Sequence, residues 1–133
     1  MIVVDTNVIA YLMIKGEFTD DANYVYKKDS DWIAPNLWKH EFLNVLTTLV
    51  NTKRAELNNV ISYFKITNKF FPKLGKESNY EHVITLSAKH KISAYDAQFV
   101  SLAMNLDIPL ITQDKHLLGK FPDISQTMNQ FIS

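Results

Sequence analysis

The stretch that most limits what this chain can fold into is its opening, MIVVDTNVIAYL. Ile2, Val3 and Val4 form an unbroken β-branched run, the mark of a strand buried on both faces. Such strands belong to parallel sheets covered by helices. The run drives straight into Asp5, then Thr6 and Asn7, before apolar residues resume. A carboxylate at the end of a buried strand gives up hydration unless the fold repays it. What meets Asp5 is therefore the question on which both fold and chemistry turn.

The rest of the chain reads as strands alternating with helices. Helices are predicted over Asn7–Met13 and Asp20–Lys28, then a short strand over Asp31–Ala34, stopped by Pro35. A longer helix begins at Pro35 or Asn36 and runs to about Val50, with Trp38, Phe42, Val45, Leu46 and Leu49 on one stripe. Another spans roughly Arg54–Phe64, and Ile66–Phe71 reads as an edge strand ended by Pro72. Helices follow over Ser78–Lys89 and, capped by Ser93, over Ala94–Asn105. Pro109–Thr112 is a strand, Asp114–Leu118 a short helix and Ile124–Met128 a last strand. The alternation predicts an α/β sandwich around a parallel sheet. With 133 residues and no linker or repeat, a single domain over 1–133 is expected.

Composition narrows the chemistry. The chain has no cysteine, so thiolate metal sites and disulfides are excluded, and a cytoplasmic setting fits. The opening apolar run is far too short for a membrane span or secretory signal. Net charge is zero, which argues against a strong nonspecific polyanion binder. The charges are unevenly spread, however. Residues 53 to 91 carry eight Lys/Arg against Glu56, Glu77 and Glu81.

Four acids sit where the pattern wants something apolar or neutral: Asp5, Glu41, Asp96 and Asp114. Asp5 and Asp114 follow apolar strands, and in an open parallel sheet ligands collect at the carboxyl ends of strands. Glu41 and Asp96 lie early in helices leaving that same edge. Each has a plain structural explanation: Asp5 and Asp114 could cap helices, and Asp96 could suit a positive helix N-terminus. Glu41 resists it, because the expected helix begins well before it. Four convergent acids repel one another unless a cation neutralises them. With no cysteine, hard oxygen ligands point to Mg²⁺ or Mn²⁺.

The arrangement resembles the PIN-domain (PilT N-terminus) family, particularly its VapC-type toxin ribonucleases. The resemblance rests on the hydrophobic–DTN opening, on WKHEFLNVL with Glu41, on ISAYDAQFVSLAMNLDIPLIT with Ser93 and Asp96, and on TQD with Thr112 and Asp114. It covers essentially the whole chain. It implies a three-layer α/β/α sandwich around a five-stranded parallel sheet, strand order 3-2-1-4-5. It also implies metal-dependent endonucleolytic cleavage of RNA, with Asp5, Glu41, Asp96 and Asp114 as metal ligands, directly or through water. Asn7, Ser93 and Thr112 would be neutral donors orienting those carboxylates or a phosphate. A small antitoxin protein and a homodimer are the implied partners. Some members carry a further acid two positions after the one matching Asp114; here that place is His116.

Other features weigh less. His40 is expected to face away from Glu41, and His82, His90 and His116 lack ligand-like spacing. Trp32 and Trp38 read as core. With the four acids set aside the remaining charge is +4, which suits a phosphate backbone. A haloacid-dehalogenase-like phosphatase also begins with a strand and an aspartate, and Thr112 and Lys115 would fit it. That class needs an acid where this chain has Asn7, and has no use for Glu41. A non-catalytic binding domain on the PIN fold is the third reading, against which the four intact acids count.

Overall fold

The computed structural model describes residues 1–133 in full. Its five strands are β1 (Ile2–Val4), β2 (Trp32–Pro35), β3 (Gly75–Lys76), β4 (Leu110–Ile111) and β5 (Ser125–Gln126). All pair in parallel, in the order β3-β2-β1-β4-β5. The expected fold is therefore the one observed. β1 lies at the centre, with Val3 beside Ile33 on one side and Leu110 on the other. This explains its unbroken apolar run: Ile2, Val3 and Val4 are all buried, with helices covering the sheet.

Seven helices connect the strands and an eighth follows β5: α1 (Thr6–Met13), α2 (Thr19–Lys28), α3 (Trp38–Asn51), α4 (Leu57–Phe70), α5 (Tyr80–His90), α6 (Ala94–Leu106), α7 (Lys115–Lys120) and α8 (Met128–Ile132). Right-handed crossovers put α1 to α4 on one face, because β1, β2 and β3 step outward in one direction. The chain then crosses to β4 on the other side of β1, so α5, α6 and α7 cover the opposite face. α6 lies directly against β1, β2 and β4, and α5 packs alongside it. Phe99, Val100 and Ala103 of α6 are buried there, while Trp38, Phe42 and Leu46 bury the stripe of α3. Trp32 and Trp38 are both core residues, as expected. No helix is long and apolar enough to cross a membrane.

Three boundaries differ from the sequence pattern, each for a local reason. The stretch over Ile66–Phe71 is not an edge strand, since α4 runs on through Phe70. Val60, Thr67 and Phe71 are buried at helical spacing, and no Gly or Pro interrupts them before Pro72. The true edge strand is Gly75–Lys76, too short to show any periodicity. The last strand ends at Gln126, because Thr127 and Gln130 form a reciprocal capping box that opens α8. Pro35 closes β2 rather than opening a helix, so α3 starts only at Trp38. Glu41 consequently lies in the first turn of α3 rather than deep inside it.

Candidate active site

The connections of β1 and β4 leave the sheet in opposite directions, which opens a crevice beyond their carboxyl ends. Asp5 follows β1 and Thr112 follows β4. The Asp5 backbone N–H donates to the Ile111 carbonyl at 3.0 Å, extending the pairing by one residue. The Thr112 hydroxyl, fully buried, donates to Asp5 Oδ2 at 2.7 Å. The same Thr112 oxygen accepts the Asp114 N–H at 3.0 Å. One hydroxyl thus couples the two strand ends and both aspartates.

Asp5 is the residue before α1, yet its side chain makes no capping hydrogen bond. The structural explanation for its presence fails at this position. Glu41 comes from the other neighbour of β1: α3 follows β2, and its first turn stands beside α1. There the buried Thr6 hydroxyl donates to Glu41 Oε1 at 2.7 Å. Thr6, which the sequence left without a firm role, is the residue that positions Glu41. The only signal for it was its place between Asp5 and Asn7.

Asp96 lies in the first turn of α6, whose N-cap Ser93 accepts the Asp96 N–H at 3.0 Å. Ser93 therefore sets the start of the helix that carries Asp96. Asp114 behaves differently, because its Oδ1 accepts the N–H groups of His116 and Leu117 and so caps α7.

The electrostatics are those of crowded acids. Burial raises the proton affinity of Asp5, against the Thr112 hydrogen bond that lowers it, and the charges of Asp96 and Asp114 raise it further. Burial likewise raises Glu41; the Thr6 hydrogen bond opposes the shift, and Asp5 and Asp96 add to it. Asp96 is raised by burial and then by Asp114, with Ser93 and the nearby His116 acting the other way. No lysine or arginine forms an ion pair with any of the four; the molecule's one salt bridge joins the Met1 amino group to Asp29.

Beside Asp5 and Glu41 opens a cleft of about 700 Å³. Thr6 and Asn7 border it from α1, and Tyr95 from the start of α6. Leu37, His40, Asn44 and Val45 form its α3 wall. His40 therefore does not face away from Glu41, as expected from sequence, but shares the cleft wall with it. Leu37, His40, Glu41, Asn44 and Val45 follow one another at i, i+3, i+4, i+7 and i+8, so His40 and Glu41 share one broad helical face. Asn7 borders the cleft as an exposed side chain. Tyr95 and Asn44 had no signal in the sequence at all. Asp96 and Asp114 stand outside the cleft lining, acting on Asp5 through their charge.

The donor set is chemically that of a hard divalent cation, with carboxylates, hydroxyls and no sulfur. Asp5 Oδ2 and Glu41 Oε1 are engaged by threonine hydroxyls, and no side chain donates to Oδ1 or Oε2. No three acidic or histidine side chains surround a single point closely enough to hold an ion. Asp5 and Glu41 offer two carboxylates, the number through which Mg²⁺ commonly binds while keeping several waters.

A family model described as PIN domain matches residues 2–122. The chain belongs to the PIN domain family. It is 28% identical over 134 residues to Ribonuclease VapC3 of Pyrobaculum aerophilum, with 91% of this chain and 95% of that protein covered. The crystal structure of PAE2754 from Pyrobaculum aerophilum matches 98% of this chain and 92% of that one. The TM-score is 0.79 at 18% identity, a likeness of fold.

Proposed function

We propose that this chain is a Mg²⁺- or Mn²⁺-dependent endoribonuclease, the toxin of a toxin–antitoxin pair acting in the cytoplasm. The observation that carries the reading is the group of acids at the carboxyl edge of the sheet, where burial and neighbouring carboxylates destabilise the charge on Asp5, Glu41 and Asp96 and no lysine or arginine pairs with them. Asp5, Glu41, Asp96 and Asp114 would hold the ion, directly or through water. When bound, such an ion makes water a competent nucleophile near neutral pH and relieves charge on the leaving oxygen. The chain's own residues do the positioning. Thr112 holds Asp5 and Thr6 holds Glu41, each by one oxygen, so that the other oxygen can take an ion ligand or a proton from the attacking water. Asn7 and the α3 wall would receive the phosphate and the nucleotides on either side of it. Likeness to a protein named as a ribonuclease, over nearly its whole length, supports RNA as substrate. The antitoxin partner and a homodimer rest on the family resemblance.

The test is to incubate the purified protein with a pool of cellular RNAs, with Mn²⁺ and with EDTA, and to sequence the new ends. New internal ends that require the metal are expected. Undiminished cleavage in EDTA would end the metal reading. Rapid release of phosphate from p-nitrophenyl phosphate, retained in Glu41→Gln, would instead favour a phosphatase.

A further inference from the structure

We infer that Tyr95 is a stacking platform for one unpaired nucleobase of the RNA, set at the mouth of the acidic cleft; this rests on the ribonuclease reading and names the form of RNA the site accepts. Tyr95 is 64% exposed, and of the large hydrophobic side chains left exposed it alone lines the cleft. The fold makes no use of it. α6 turns Ala97, Phe99 and Val100 into the core, which leaves Tyr95 on the outward side of its first turn. Its ring pairs with no other aromatic, although eight such pairs exist elsewhere in the molecule. Its hydroxyl makes no hydrogen bond, whereas no buried side-chain polar atom lacks one.

The surroundings match a base rather than a helix of RNA. Tyr95 adjoins Asp96 in sequence and shares the cleft with Asp5 and Glu41, so a base on its ring belongs to a nucleotide close to the scissile phosphate. Leu37, just before α3, and Val45 on it offer apolar surface within the same cleft. Asn44 and His40 offer hydrogen-bonding groups of the kind that read exposed base edges. A cleft of about 700 Å³ is of small-molecule size, suited to a splayed nucleotide and not to a duplex. Stacking on an aromatic ring is tolerant of base identity, since every base has a π-face. The subsite therefore selects single-stranded segments, and any sequence preference falls to Asn44 and His40.

The experiment measures binding of labelled, phosphorothioate-linked single-stranded RNA by fluorescence anisotropy in Mg²⁺, for the full chain and for Tyr95→Ala, Tyr95→Phe and Tyr95→Trp. Steady-state cleavage of an RNA cut in the pool experiment is followed in parallel. Tyr95→Ala should weaken binding about 10-fold, within the range for losing one base-stacking contact. Its KM should rise with kcat nearly unchanged, and its melting temperature should stay that of the parent. Tyr95→Phe and Tyr95→Trp should bind as the parent does. Parent protein that binds and cuts RNA, with Tyr95→Ala unchanged, overturns the stacking subsite alone. Equal losses in Tyr95→Phe and Tyr95→Ala overturn it too, by pointing to the hydroxyl. Parent protein that neither binds nor cuts RNA removes the ribonuclease reading and the subsite together.

Discussion

Asp5 and Glu41 are costly to the fold as charged groups, and the proposed function makes them ion ligands. Both have raised proton affinity, chiefly through burial. The folded, metal-free chain therefore holds protons that the unfolded chain has already released. Stability contributed by these groups must fall as pH rises above the ordinary carboxylate range of about 4. Asp5→Asn removes the charge and keeps the shape. In EDTA its stability should match the parent's at low pH, exceed it increasingly as pH rises above the ordinary carboxylate range, and level off once the folded parent's Asp5 has ionised. Melting curves across the acid range check this, and a constant difference at all pH values would contradict it. In Mg²⁺ the order should reverse, because an ion that binds only the folded parent stabilises it by mass action. Glu41→Gln is the complementary test. The Thr6 hydroxyl can still donate to the amide oxygen, so packing should hardly change. Metal affinity by calorimetric titration should drop at least ~10-fold, the lower end of what even an outer partner of a ligand costs. Unchanged metal affinity and activity would make Glu41 a structural residue.

At the scale of elements, the start of α6 matters most, since one turn carries Ser93, Tyr95 and Asp96. Ser93 caps that turn through the Asp96 N–H. Ser93→Ala should cost ~1 kcal/mol of unfolding free energy, measured by denaturant titration. It should also lower cleavage beyond what stability explains, because the frayed turn carries Asp96. Ser93→Asp, a comparable cap, should restore the stability while adding a further negative charge beside Asp96, so that activity stays low. Recovery of both together would mean that Ser93 acts only as a cap. The α3 start shows the reverse economy: Pro35 and the turn after it delay the helix, and that delay brings His40 and Glu41 to its open end.

For the molecule as a whole, the acids and the basic stretch have to be reconciled with the polyanionic substrate proposed above. Lys76 ends β3, so it stands at the same edge of the parallel sheet as Asp5, and it is exposed. Lys73, beyond the far end of α4, is exposed as well. RNA affinity should fall as salt rises, and Lys76→Ala should reduce the slope of log K against log salt by somewhat less than one. An unchanged slope would place Lys76 outside the RNA path. The same variant should leave metal affinity alone, which separates backbone attraction from the ion site.

The opening run by itself showed that its strand lies between two layers, because three consecutive β-branched residues with no polar alternation can be buried only there. Its place at the centre of the sheet followed from the strand order that the family resemblance implies. Asp5, Glu41, Asp96 and Asp114 stood out as candidates for a related reason, as charges set against a strong apolar pattern. Local pattern was silent wherever the cause was distant in sequence. Thr6 and Glu41 are 35 residues apart, and Thr112 and Asp5 are 107 apart, so their pairing exists only once β1 lies between β2 and β4. β3 was missed because two residues carry no period and its place is decided by β2. Tyr95 and His40 looked like ordinary surface residues, since periodicity tells only which side chains avoid water. Which exposed ones face a shared cleft depends on where α1, α3 and α6 come together, and packing of the sheet decides that.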